Sequence, residues 1–79
     1  MYIPKEEYIE VVDGVEYLFI EYENGLKTWW VGENKDIPHR ECGPAMIQAN
    51  GRKNWYLNGN EISEKEFNRR RAIKRIKRL

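Results

Sequence analysis

Asn50-Gly51-Arg52-Lys53-Asn54-Trp55-Tyr56-Leu57-Asn58-Gly59 is a short aromatic and aliphatic run held between two Asn-Gly pairs. Asn-Gly and Asp-Gly are the strongest short-range hairpin signals, because a type I′ turn requires positive φ at both central residues. Outward from this stretch the same punctuation recurs at Asp13-Gly14 and Asn24-Gly25. Between the turns lie β-rich runs at residues 7–12, 15–22, 27–31, 45–49 and 52–57, with an irregular stretch at 33–44. The pattern predicts a mainly β chain: an antiparallel meander of about five strands. At 79 residues only a single domain is allowed. So short a chain buries about 60% of its unfolded surface, so three Trp, five Tyr and two Phe must supply much of its core.

The decisive stretch also has an internal counterpart. Asn24-Gly25-Leu26-Lys27-Thr28-Trp29-Trp30-Val31 aligns with the segment beginning at Asn50, 26 residues later. Asn, Gly, Lys and Trp are identical, and the next two positions stay aromatic and then aliphatic. Hairpin units of this size cannot bury an apolar face alone, so neighbouring units must stack.

Asn50-Gly51-x-Lys53-x-Trp55-Tyr56-Leu57-Asn58-Gly59, preceded by His39-Arg40-x-x-Gly43-Pro44-Ala45, resembles a repeat found in small phage and bacterial proteins. Those proteins are similar to distant variants of the MORN repeat, in which β-hairpins stack in a row. The serine-led ending with Glu66-Phe67-Asn68 resembles their usual close, so the similarity spans roughly residues 22–68. The chain departs from the pattern at Gly32-Glu33-Asn34-Lys35-Asp36, where an Asn-Gly turn is expected. The resemblance implies MORN-like hairpins and a phage-type accessory protein working in a host cytoplasm; it implies no particular activity.

The tail differs in kind. Ser63-Glu64-Lys65-Glu66 reads as a capping box, in which the serine hydroxyl takes the Glu66 amide and the glutamate returns the bond to Ser63. No Gly or Pro follows, so a helix is expected to run close to Leu79. Ala72, Ile73, Ile76 and Leu79 share one helical face, while Phe67 lies off that stripe and is expected to pin the first turn to the sheet. The expected organisation is a β-meander over residues 1–62 and a basic helix over 63–79. Formal net charge is +1, but that sum hides a division. Residues 1–63 carry six basic against eleven acidic side chains, a net of −5; residues 64–79 carry eight against two, a net of +6. Such asymmetry points to charged partners or to packing of one part on the other.

Several classes are disfavoured. One cysteine, Cys42, forms no internal disulfide. No stretch approaches the roughly 20 apolar residues of a membrane span. The amino terminus has neither the apolar run nor the cleavage site of a signal peptide, so a cytoplasmic protein is the expectation. His39 and Cys42 are the pair nearest to chemistry, as nucleophile and base with Asp36 or Glu41 orienting, or as two metal ligands. A structural zinc site needs four ligands and no second Cys or His is present, so no metal, no cofactor and no enzymatic activity are expected. The alternative is a turn set by Gly43-Pro44 with His39 and Arg40 hydrogen-bonded inside it.

Three surfaces remain as candidates for binding. The basic helix offers Arg69, Arg70, Arg71, Lys74, Arg75, Lys77 and Arg78, whose guanidinium forks match phosphate or carboxylate oxygens. Trp30 and Tyr56 with Lys27, Arg52 and Lys53 form a candidate aromatic and basic sheet face on which nucleic-acid bases would stack. Glu6, Glu7, Glu10, Asp13, Glu16, Glu21 and Glu23 form an acidic surface that either imitates nucleic-acid phosphates, engages a basic partner or keeps a sheet face solvated. The expected function is that of a non-enzymatic module which binds and modulates a host macromolecule by charge-directed contact. The alternative is an RNA- or DNA-binding protein using the arginine-rich helix. A helix lying on an anionic membrane ranks behind both, since few large apolar residues follow Phe67.

Overall fold

The turn residues decide how the strands meet. The structure, a computed structural model, describes residues 2–77, with side chains described through residue 72. Strands β1 (Pro4–Val12) and β2 (Val15–Tyr22) are joined by Asp13-Gly14, where φ is 50° and 79°. Strands β6 (Lys53–Leu57) and β7 (Asn60–Ile62) are joined by Asn58-Gly59, where φ is 52° and 83°. Both have positive φ at both central residues, as a two-residue I′ hairpin demands.

The other two Asn-Gly pairs differ from the sequence expectation. At Asn24-Gly25 and Asn50-Gly51 only the glycine has positive φ, at 92° and 89°. The asparagine side chain instead accepts a backbone N–H two residues on, from Leu26 at 3.0 Å and from Arg52 at 2.9 Å. Gly25 N–H donates to Tyr22 and Gly51 N–H to Gln48, each at 2.9 Å; Tyr22 N–H donates to Leu26 and Gln48 N–H to Arg52, each at 2.8 Å. One three-residue loop is therefore built twice, 26 residues apart, each time ending on a left-handed glycine.

Strand β3 (Lys27–Val31) follows the first of these loops. Beside it lie two very short strands, β4 (Ile37–Pro38) and β5 (Met46–Ile47). β4 pairs with the end of β3 (Val31↔Ile37, Trp30↔Pro38) and β5 with its start (Thr28↔Met46, Lys27↔Ile47). β6 lies on the far side of β5, with Met46↔Asn54 and Ile47↔Lys53. It also reaches the β4 end through Gly59 N–H to the Pro38 carbonyl, 2.9 Å. β4 and β5 are thus the two ends of one interrupted strand, and residues 39–45 bow out between them. The result is mainly β: a seven-stranded, open antiparallel sheet in the order β1-β2-β3-β5-β6-β7 with β4 beside β3, followed by one helix, α1 (Glu64–Lys77). Interruption of the fourth strand and addition of β7 raise the expected five strands to seven. Strands of two and three residues carry too little periodicity to be read from sequence.

Strand alternation assigns the two faces. Tyr17, Phe19 and Trp29 share one face and form the buried core, with Val12, Val15, Val31 and Ile47 packed around them. Phe19 lies 4.9 Å from Trp29 and 5.0 Å from Tyr8, centroid to centroid, so the core is a run of tilted aromatic contacts. The Trp29 indole N–H donates to Glu10 at 3.3 Å, which satisfies the polar edge of a nearly buried ring. Thr28 and Trp30 face the other way, and the Trp30 indole N–H donates to the Thr28 hydroxyl at 2.7 Å. The molecule measures 43 × 26 × 16 Å. Among the described residues no helix is long and apolar enough to cross a membrane.

Candidate functional site

The loop at residues 39–45 is where sequence motif and geometry meet. Arg40 lays its guanidinium 3.7 Å above the Trp29 ring and donates from Nη1 to the Pro44 carbonyl at 3.2 Å. A side chain at Gly43 would come within 3.1 Å of that Nη1, so the glycine leaves the room the guanidinium occupies. Ala45, fully buried, turns the chain back into β5, its carbonyl accepting from Trp29 N–H and its own N–H donating to Asn54, each at 2.9 Å. Arg40 Nε is sealed from solvent without a hydrogen-bond partner, so the Pro44 bond and stacking on Trp29 together hold this arginine. His39, Arg40, Gly43, Pro44 and Ala45 together tie the loop down onto the core.

His39 is 7% exposed and has both ring nitrogens engaged. Asn58 N–H donates to Nδ1 at 2.8 Å, which places the proton of the neutral ring on Nε2, 3.2 Å from the Glu41 carboxylate. The ring stacks beside Tyr17 at 6.3 Å and 15°. Neither nitrogen is available to take a proton from Cys42, which is exposed. His39 acts here as the bracket for the β6–β7 turn. Among the described residues no group of three or more His, Cys, Asp or Glu side chains is placed to hold a metal ion.

The helix is fixed at its start. Ser63 Oγ accepts the Glu66 N–H at 3.1 Å, which forms half of the expected capping box. The Glu66 carboxylate does not turn back to Ser63. It accepts from Arg69 Nη2 at 2.8 Å and from Arg70 Nε at 2.8 Å instead. Charge-assisted bonds to two guanidinium groups outweigh one neutral amide. The Arg69 bond, then the Arg70 bond, hold the Glu66 carboxyl well below its ordinary 4.5, at about 2, and the same contact raises Arg69. Phe67 is 2% exposed and packs 6.5 Å from Trp55, so it pins the first turn to the sheet as its position predicts.

The helix start thereby closes a cleft of about 340 Å³. Tyr17, Leu57 and Phe67 line it with apolar surface, and Asp13, Glu41, Arg70 and Arg71 add charges of both signs to the same lining. The Tyr17 hydroxyl accepts from the Glu41 N–H at 3.2 Å. Burial is the main cause that raises the Tyr17 phenol above its ordinary 10, so it keeps its proton as a donor. The Arg71 guanidinium lies 5.9 Å from the centre of the Phe67 ring.

The sequence candidates are placed as follows. Arg69, Arg70 and Arg71 are exposed on the first two turns of α1. The side chains of Lys74, Arg75, Lys77 and Arg78, like those of Ile73, Ile76 and Leu79, lie outside the described residues; Ala72 is exposed. Trp30 and Tyr56 are half-buried and share one sheet face, whereas Lys27 and Lys53 alternate onto the other, the face that carries Trp29 and Trp55. Arg52 is exposed in the turn before β6. The aromatic and basic members of that set therefore do not form one platform. The acidic residues gather on the β1–β2 hairpin, where Glu6, Glu7, Asp13 and Glu16 are exposed. Tyr17 and Asn58 belong to the cleft and were not among the sequence candidates. Asn58 was within reach of prediction, since it ends one half of the motif whose other half begins at His39. No family model, curated protein or solved structure matches this chain.

Proposed function

We propose that this chain is a non-catalytic binding module that engages an anionic surface of a larger macromolecule through the arginine run at the start of α1. One observation carries the reading: Arg69, Arg70 and Arg71 are exposed on a turn held to the sheet by the Ser63 cap and buried Phe67. The cations are pre-positioned, so less ordering entropy is lost on contact than with a free tail. The opposed charges of sheet and helix would orient the molecule as it approaches, which favours fast association. The small phage and bacterial proteins that the repeat motifs resemble suggest a host protein in the cytoplasm as the target. Affinity capture from nuclease-treated lysate tests this. Retention of a protein by the wild-type chain and its loss with Arg69→Glu/Arg71→Glu is the expected result; equal retention by both defeats the proposal.

A second reading rests on the same consecutive guanidinium groups, which also suit a nucleic-acid backbone. Titration of labelled RNA and duplex DNA at two salt concentrations separates the two. A backbone binder shows log K falling with log salt at roughly 0.9 per phosphate neutralised. Absence of binding at low salt removes this second reading and leaves the first.

A further inference from the structure

We propose that β1 is a docking edge to which an extended, basic segment of another protein adds as an extra strand. β1 is the first strand of an open sheet and its pairing is with β2. Val12↔Val15 closes a two-residue hairpin, so that pair exchanges both backbone bonds; along β1 the bonding direction then alternates. Glu7, Ile9 and Val11 consequently turn their N–H and C=O groups toward the open side. Two of these residues are also among the most exposed apolar side chains, Ile9 at 50% and Val11 at 64%, with Tyr8 between at 47%. Soluble proteins ordinarily blunt an edge by shortening it, by lysine or proline, or by a bulge. Here Pro4, Lys5 and the register shift at Pro4/Glu6 blunt only the start of a nine-residue edge, and residues 6–12 beyond them form a regular ladder.

Charge identifies the occupant. The β1–β2 hairpin carries six carboxylates against Lys5 alone, and Glu6, Glu7 and Glu10 lie on the edge strand itself. Residues on an added strand would stand about 4.5–5.5 Å from these side chains, close enough for opposite charges to help and like charges to harm. The fitting partner is a segment with lysine or arginine opposite Glu6 and Glu7 and with β-branched residues opposite Ile9 and Val11; the Glu10 carboxylate is turned across β2 to the Trp29 indole. Main-chain bonds supply affinity and the alternate side chains supply selection. The surface uses none of the α1 arginines, so it stands or falls apart from the reading above.

The experiment uses the full chain and two synthetic octapeptides, one with adjacent lysines to face Glu6 and Glu7 and with Val or Ile at the positions that face Ile9 and Val11, the other with Glu in place of Lys. Nuclear magnetic resonance of the labelled chain should show shifts and slowed amide exchange at Glu7, Ile9 and Val11. The Lys peptide should bind at least about tenfold more tightly than its Glu twin, and Glu6→Lys/Glu7→Lys should reverse that preference. A chain synthesised with an N-methyl group on Ile9 keeps every charge and the β2 ladder but loses an outward donor, and it should bind about tenfold more weakly. Equal binding by the N-methylated chain, shifts centred on α1, or pairing of β1 with β1 of a second copy would each overturn the proposal.

Discussion

Arg40 shows how one side chain can organise a loop without a conventional ion pair. Its guanidinium is confined by the Trp29 ring on one side, the Pro44 carbonyl on another and the empty side of Gly43 on a third. Gly43 has no positive φ, so backbone strain plays no part in its requirement. Gly43→Ala should therefore destabilise the protein by about 1 kcal/mol through displacement of Arg40, within the range for overpacking. In an Arg40→Ala background the same substitution should cost close to nothing. Denaturant unfolding of the four chains in this cycle checks the coupling. Tyr17 gives a second test at this scale. Burial holds its phenol protonated above pH 10, so the folded state binds that proton more tightly than the unfolded state. Its contribution is present below pH 10 and is lost as pH rises through the higher folded value. Ultraviolet titration should show one late-ionising tyrosine, absent in Tyr17→Phe. The same variant removes the hydrogen bond from Glu41 N–H to the Tyr17 hydroxyl and should cost about 1 kcal/mol at neutral pH.

At the scale of elements, the start of α1 depends on two residues with different jobs. Ser63→Ala removes the acceptor for the Glu66 N–H and should cost about 1 kcal/mol, the usual value for a cap. Glu66 acts through charge instead. Its folded carboxyl titrates at about 2 against an ordinary 4.5, so folding favours the ionised form. That stabilisation is present above pH 4.5 and disappears as pH falls toward 2. Stability measured across this window should fall more steeply in the wild-type chain than in Glu66→Gln. The helix was legible because Ser-x-x-Glu before a Phe is a local signal, and the serine bond and the Phe67 contact follow from it. The fate of the Glu66 carboxylate was less so, since the capping box and the arginines three and four residues on compete for one group. The hairpins were legible from their Gly pairs, but dipeptide identity did not distinguish a two-residue I′ turn from a three-residue loop. That choice depends on which flanking residues pair, Val12 with Val15 in one case and Tyr22 with Leu26 in the other. Likewise Trp30 and Lys27 are neighbours in sequence, yet strand alternation sends them to opposite faces.

Across the whole molecule, the charges separated along the sequence are only partly separated in space, since Asp13 in the turn of the acidic hairpin lines the same cleft as Arg70 and Arg71. The acidic hairpin forms one end of the sheet order, and the helix is attached through β6 and β7 at the other. Phe67 completes the packing of the helix start against Trp55, and of the arginines that follow it Arg69 and Arg70 also pair with Glu66. Ending the chain at residue 68 removes seven cations and shifts the formal net charge from +1 to −6, while the sheet, the Ser63 cap and Phe67 all remain. The shortened chain should keep its β-type circular dichroism and a cooperative melt. On the proposed function it should also lose salt-sensitive retention of its anionic target, because the attraction that screens over about 8 Å at physiological ionic strength is gone. Retention by the 1–68 chain would move the binding surface onto the sheet. Loss of cooperative melting would instead show that residues beyond 68 hold the fold together, and the division between a structural start and a binding remainder of α1 would fail.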